Sequence, residues 1–217
     1  MQPALPAKTL ILAALRYEAY RIAAVVGNNP TVNIHVVGPR AAHLPSPDLN
    51  VKTIIMAGLA GGIDPMLQSA DVILDAPWLL EPIAGCTRGR IESCDQIIAT
   101  PEEKSRLFEQ TGASVVDMEN AAARAFALRM NARFIGLRAV SDAADESLDP
   151  ALLRIIDSRG RLKPLMLAGA ILRRPALISI LRRTGRQSHH AMQNLCDVLR
   201  RIVQSEQVHE SPAPSEQ

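Results

Sequence analysis

Short apolar runs recur through the first 150 residues, each closed by a polar or glycine-rich stretch. TLILAAL (9–15) carries no charge, the pattern of a strand buried on both faces. YEAYRIAAVV (17–26) reads as the helix behind it. VNIHVVG (32–38) is a second strand, and the prolines of AAHLPSPDLN mark a loop. KTIIMAG (52–58) is a third strand running into the glycine-rich LAGGI, DVILD (71–75) a fourth, and GRIESC (89–94) a fifth. TPEEKSRLFEQTG (100–112) carries helix punctuation: Thr100 to cap, Pro101 in the first turn and Gly112 to stop. SVVDM (114–118) and FIGLRAV (134–140) are strands on either side of a helix over 119–131. Strands alternating with helices predict an α/β fold, a sheet sandwiched between helices.

After SDAADESLDP the strands stop. Helices are expected over 150–158, about 162–173, 176–184 and 187–205, punctuated by Gly160, Pro164, Pro175 and Gly185. The chain thus divides into a body (1–150), a helical extension (151–208) and a disordered tail (209–217). Charge sharpens the division. Residues 1–150 hold 13 Lys and Arg against 17 Asp and Glu, whereas residues 151–205 hold 11 against 2. The extension alternates apolar turns with Arg173-Arg174, Arg182-Arg183 and Arg200-Arg201. Two placements stay open: packed on the body or a second subunit with solvated arginines, or lying on an anionic membrane surface. Nucleic acid fits less well, because apolar residues crowd the arginines and no aromatics interleave. Aromatics are only 3%, so the core must be aliphatic. Cys86, Cys94 and Cys196 lack metal or redox spacing and suit reduced thiols in a cytoplasm. The N-terminus lacks the layout of a signal peptide. No run reaches the ~18 uncharged residues of a membrane span.

The chemistry concentrates at strand ends, where α/β sheets bind ligands. The first strand runs out near Glu18, and the third into AGLAGGI (57–63). SVVDM ends in Asp117-Met118-Glu119, and FIGLRAV in Ser141-Asp142. AGLAGGI does not fit a dinucleotide fingerprint; its small residues let backbone approach a ligand or another strand closely. Taken singly, each acid has a plain reading. Asp142 could cap a following helix, Glu119 could be a first-turn acid, Glu18 a surface residue, and Met118 core.

Together, in order, these pieces resemble one family. LAALRYEA, IIMAGLAGGIDPMLQSADVILD, VVDMENAAARAFA and LRAVSDAADE are similar to the signature segments of the nucleoside phosphorylases and nucleosidases, nearest to the methylthioadenosine/adenosylhomocysteine nucleosidases. The resemblance spans about residues 9–146. It implies a three-layer nucleoside phosphorylase-like fold with a mixed central sheet, and cleavage of an N-glycosidic bond. It makes Asp142 the acid that protonates adenine N7, with Ser141 orienting it. Glu119 becomes the clamp on the ribose hydroxyls, Met118 a contact to the sugar face, and Glu18 the group that positions and deprotonates the attacking water. Gly58 lies in the glycine segment of the pocket. Ile97 and Ile98 would grip adenine through backbone groups, aliphatic residues standing where the family has a stacking aromatic. Asp117 takes no role from the resemblance, and a structural one stays open. No metal or organic cofactor is implied; inorganic phosphate is the one candidate co-substrate. A homo-oligomer is expected.

Three departures refine this. Met56 and Leu59 stand where phosphorylase members have an Arg and a Ser for phosphate, which favours water as nucleophile, with Arg16 and Arg40 left as other sources of charge. The connection APWLLEPIAGCTRGRIES replaces a longer lid. Its Trp78, Leu79, Leu80 and Ile83 read either as a buried connection or as an apolar mouth for a bulky 5′ group. The RGRLKP stretch and the Arg-rich helices resemble one subgroup, the hopanoid-associated phosphorylases. That resemblance implies a lipid-linked adenine nucleoside, adenosylhopane, as substrate, and a cytoplasmic protein with a membrane-associated form as the alternative.

Overall fold

The first apolar run forms β1 (Lys8–Ala13), buried along almost its whole length. The chain turns into α1 (Arg16–Val26), continues through β2 (Val32–Val36) and a 3-10 turn at Pro39–Ala41, and enters the long β3 (Val51–Gly62). β4 (Val72–Asp75), β5 (Thr87–Arg88), β6 (Ile91–Ser93), α2 (Pro101–Thr111), β7 (Val115–Asp117), α3 (Asn120–Arg129), β8 (Arg133–Asp142) and α4 (Leu177–Gln204) follow. The computed structural model describes residues 8–46, 50–148 and 177–205. The helices expected over 150–158 and 162–173, and the tail 209–217, lie outside the described residues.

The main sheet runs β2-β1-β3-β8-β4-β5. β1, β2, β3 and β8 are mutually parallel, and β4 returns antiparallel to β8. β7 pairs antiparallel with the far end of β3 and parallel with β6. This mixed sheet lies between two helical layers. On one face Ile11, Ile55 and Leu137 pack with Ile22 of α1 and with Met192, Leu195, Leu199 and Ile202 of α4. On the other, Leu12, Ile54 and Met56 pack with Ala123, Phe126 and Ala127 of α3.

Four local expectations are corrected. The third strand does not end at Gly58: Gly61 and Gly62 are still paired, with β7 on one side and with β8 through Gly61 on the other. The strand over 134–140 likewise runs on through Ser141 and Asp142. GRIESC narrows to the three-residue β6, and a separate short strand, β5, precedes it. Finally, Gly185 does not divide the last helix, which runs unbroken for 28 residues. A mid-helix glycine costs about 1 kcal/mol. Buried positions 191, 192, 195, 196, 198, 199, 202 and 203, at helical spacing, outweigh it, since each large side chain contributes roughly 1.5–3 kcal/mol on burial. The sheet occupies this apolar face, so residues 191–203 have no apolar side free to lie on a bilayer. No helix among the described residues is long and apolar enough to cross a membrane.

The structure selects between the two readings of Trp78. Its indole Nε1 donates to Phe134 O at 2.8 Å, its ring stacks under Arg133, and the adjoining Leu79 is core. β4 runs antiparallel to β8, so it carries this connection toward the start of β8. That is roughly 25 Å along the strand from Asp142. The buried-connection reading holds for Trp78, Leu79 and Ile83, whereas Leu80 is exposed, and Trp78 is not at the mouth of the strand-end site.

Candidate active site

The first turn of α1, the Gly58 segment of β3 and the β7–α3 joint meet at one buried guanidinium partway along β8. Arg138 lies in the apolar run of β8 and is fully buried. Its Nε donates to Asp117 Oδ2 at 2.9 Å, and its Nη2 bonds the same oxygen. Nη2 also stands 3.6 Å from Glu119 Oε2. Burial works against the charge, but Asp117, Glu119 and Glu18 outweigh it and push the group further up. Arg138 Nη1 has no hydrogen-bond partner among the described residues. It lies beside Gly58, where a Cβ would sit 2.6 Å from Glu18 Oε1 and 2.7 Å from Nη1. Gly58 is therefore a glycine because the Glu18 and Arg138 side chains lie across it.

Glu18 sits in the first turn of α1, only 2% exposed. Its Oε2 accepts from Leu15 N and its Oε1 from Leu59 N, both at 2.9 Å, which fixes the carboxyl against β3. Burial raises its pKa, offset in part by Arg138 and these two N–H groups. The surface reading of Glu18 is thereby excluded.

The β7–α3 joint separates its two acids. Asp117 caps α3, accepting from Asn120 N at 2.9 Å, takes Ser93 Oγ at 2.6 Å, and holds Arg138. It is the structural acid. Glu119 occupies the cap position but makes no cap bond with its side chain. It turns away, and its Oε1 accepts from Arg40 N at 3.0 Å. Burial raises its pKa, Arg138 opposes, and Asp117 adds to the rise. Arg40 holds a left-handed backbone (φ 57°), and its guanidinium donates to Asp95 O at 3.0 and 2.9 Å. One residue thus ties Glu119 to the 94–100 loop. In that loop Ile97 is exposed and Ile98 packs half-buried near Val116 and Phe108. Met118 is half-buried between the two acids.

Asp142 ends β8, 7% exposed, and pairs with Gly61. Its Oδ2 accepts from Lys104 Nζ at 2.6 Å, and Ser141 Oγ lies 2.5 Å from its Oδ1. Burial raises its pKa against Lys104 and Ser141, and Glu146 adds to the rise. Gly58 and Gly61 are three residues apart on β3, so the Glu18 and Asp142 stations are on the order of 10 Å apart, a nucleoside's length.

The structure thus gathers Glu18, Glu119, Met118, Gly58, Ser141 and Asp142 at one sheet end, with Ile97 and Ile98 on the loop tied to it. Sequence reading passed over Arg138 and Lys104, and it saw Arg40 only as loose charge. Met56 is fully buried in the core.

This is the fold of the nucleoside phosphorylases and nucleosidases. A family model, the phosphorylase superfamily, matches residues 85–168. Among solved structures, the chain is similar to the futalosine hydrolase of Helicobacter pylori (16% identity, 91% of this chain and 97% of that one, TM-score 0.61). It is also similar to the 5′-methylthioadenosine/S-adenosylhomocysteine nucleosidase of Helicobacter pylori with butyl-thio-DADMe-Immucillin-A (17%, 90% and 98%, TM-score 0.60). A third is the 5′-methylthioadenosine nucleosidase of Arabidopsis thaliana (15%, 93% and 98%, TM-score 0.57). No curated protein sequence matches significantly.

Proposed function

We propose that this protein hydrolyses the N-glycosidic bond of a 5′-modified adenosine and releases adenine. The observation that carries the reading is the placement of three buried carboxyls along one sheet end, Glu18 and Glu119 about Arg138, and Asp142 about 10 Å further along. Bond cleavage builds positive charge on the ribose and negative charge on the base, and catalysis must favour that state. Asp142, its proton affinity raised by burial, protonates the base at N7. Glu119 takes the ribose hydroxyls, with Met118 against the sugar. Glu18 accepts the proton of a water that attacks C1′, and Arg138 Nη1 is the free donor beside it. Ser141 orients Asp142, and the backbone at Ile97 and Ile98 borders the adenine.

Water is the favoured nucleophile on electrostatic grounds. Three carboxylates surround one guanidinium here, and the Arg40 guanidinium is engaged by Asp95 O, so a phosphate dianion meets net negative charge.

Adenosylhopane is the substrate to which the C-terminal resemblance points. Exposed Arg182 and Arg186 lie at the start of α4, where Arg183 and Gln187 reach Glu146 close beyond Asp142. That surface would meet anionic head groups. The second reading is a nucleosidase for methylthioadenosine, adenosylhomocysteine or futalosine, favoured by the similarity to such enzymes over nine tenths of the chain. The test is adenine release from adenosylhopane in neutral and anionic vesicles, beside methylthioadenosine, with and without phosphate. Release from the lipid substrate, faster on anionic vesicles and indifferent to phosphate, is expected. Release from methylthioadenosine alone selects the second reading. Tight adenosine binding without release from either makes the protein a binder on this fold.

Glu119→Gln keeps one acceptor oxygen but loses the charge that meets two hydroxyls. KM is expected to rise and kcat to fall, together lowering kcat/KM by roughly 10²-fold. Unchanged steady-state constants would remove Glu119 from the ribose site.

A further inference from the structure

Lys104 is a fully buried cation that the proposed chemistry does not use. It lies on the inner face of α2. Its Nζ has three partners: Asp142 Oδ2 at 2.6 Å, Ala143 O at 2.7 Å and Glu146 O at 2.9 Å. Three acceptors match the three N–H donors of an ammonium. A single helical side chain therefore ties the acid to the backbone of the loop that follows it. Among the described residues the other oxygen, Oδ1, hydrogen-bonds only Ser141 Oγ, which is also 3.1 Å from Ala60 O.

This arrangement distinguishes the two carboxyl oxygens. Oδ2 is committed to a cation and cannot also carry a proton toward it. A proton on Asp142 must reside on Oδ1. The Ser141 hydroxyl, with one hydrogen, then has two settings. It donates to Oδ1 when the acid is ionised, and turns to Ala60 O when Oδ1 is protonated. We propose that Lys104 is the positioning residue of the acid: it sets the proton affinity of Asp142 and assigns the transferable proton to Oδ1. The inference rests on the nucleosidase reading for the identity of that proton's destination. In the step, the proton leaves Oδ1 for base N7 and the C1′–N9 electron pair departs with the base. The water oxygen bonds C1′, its proton passing to Glu18.

The groups facing Asp142 are Lys104 from α2, Ser141 beside it on β8, and Glu146 from the following loop. Glu146 is itself held by Arg183 at 3.0 Å and by Gln187 from α4. Among the described residues Lys104 is the one cation in contact, so its removal must raise the carboxyl's pKa. A cation at this range accounts for 1–3 pH units.

The experiment is a carboxyl carbon-13 NMR titration of substrate-free protein, with Asp142→Asn identifying the resonance. Lys104→Met should raise the Asp142 midpoint by about 1–3 pH units, and Lys104→Arg by less. The alkaline limb of kcat/KM for adenine release should move upward by the same interval. An unmoved or lowered midpoint overturns the proposal. The titration needs no substrate, so a wild-type protein that releases no adenine would defeat the nucleosidase reading without touching this result. Should Lys104→Met not fold, the wild-type Lys104 nitrogen-15 resonance should shift at the Asp142 midpoint. A Lys104 signal indifferent to that titration overturns the proposal as well.

Discussion

Asp142→Asn should lower kcat for adenine release by roughly 10²–10⁴-fold, the span general acid catalysis supplies. The amide can still donate a hydrogen bond to N7, so substrate affinity should change far less than turnover. It cannot transfer a proton, and the base must then leave as an anion. The pH sign follows from the raised pKa of Asp142. The active form is protonated, so wild-type rate should fall as pH rises through that raised value. The variant should show no such limb.

One complication is physical. The substitution strands Lys104, fully buried 2.6 Å from the lost charge. Breaking a buried pair from one side costs about 3–5 kcal/mol, whereas removing both partners is often near neutral. The double variant Asp142→Asn with Lys104→Met should therefore regain much of the lost melting temperature and none of the activity. Paired measurement of melting and of adenine release separates the roles. Near wild-type turnover in a folded Asp142→Asn protein would sink the acid assignment.

The residues that carry short-range patterns were legible in the sequence. β1, β3 and β8 are apolar runs that allow only buried strands, and Glu18, Glu119 and Asp142 stand where such runs end. Their burial was not legible, since each acid alone also fits a cap or a surface. What joins them is Arg138, and a signal for it existed. It is the one charge within FIGLRAV, a run apolar enough for both faces to be covered, so a charge there has to be paired. Lys104 left a fainter trace: it precedes Leu107 and Phe108 by three and four residues and so shares their inward face. Trp78 kept two readings open because strand direction is a property of the sheet. Only the antiparallel return of β4 sends its connection away from the site. Gly185 shows local propensity yielding to packing further along the same helix.

Arg138→Met should be the most destabilising single change at the site. Asp117, Glu119 and Glu18 are each less than a tenth exposed, and this guanidinium is the cation that faces all three. Removing one partner of a buried ionic cluster costs about 3–5 kcal/mol. For a chain of this size each kcal/mol is about 2–4 °C, so the melting temperature should fall by roughly 10 °C. The loss should depend on pH in a defined direction. Arg138 lowers the pKa of Glu18 and Glu119 against the rise that burial imposes. Without it both rise further above their unfolded values. A carboxyl with a raised folded pKa gives its stability below the unfolded pKa and loses it as pH climbs through the folded one. The deficit against wild type should therefore be large at about pH 8 and shrink toward about pH 5, as both glutamates take up protons. Arg138→Lys keeps one charge but not the fork that reaches Asp117 twice and Glu119 besides, so it should recover only part of the loss. Melting curves of the three proteins at the two pH values decide the matter. An equal deficit at both would mean that Arg138 acts through packing rather than through the charge of these acids.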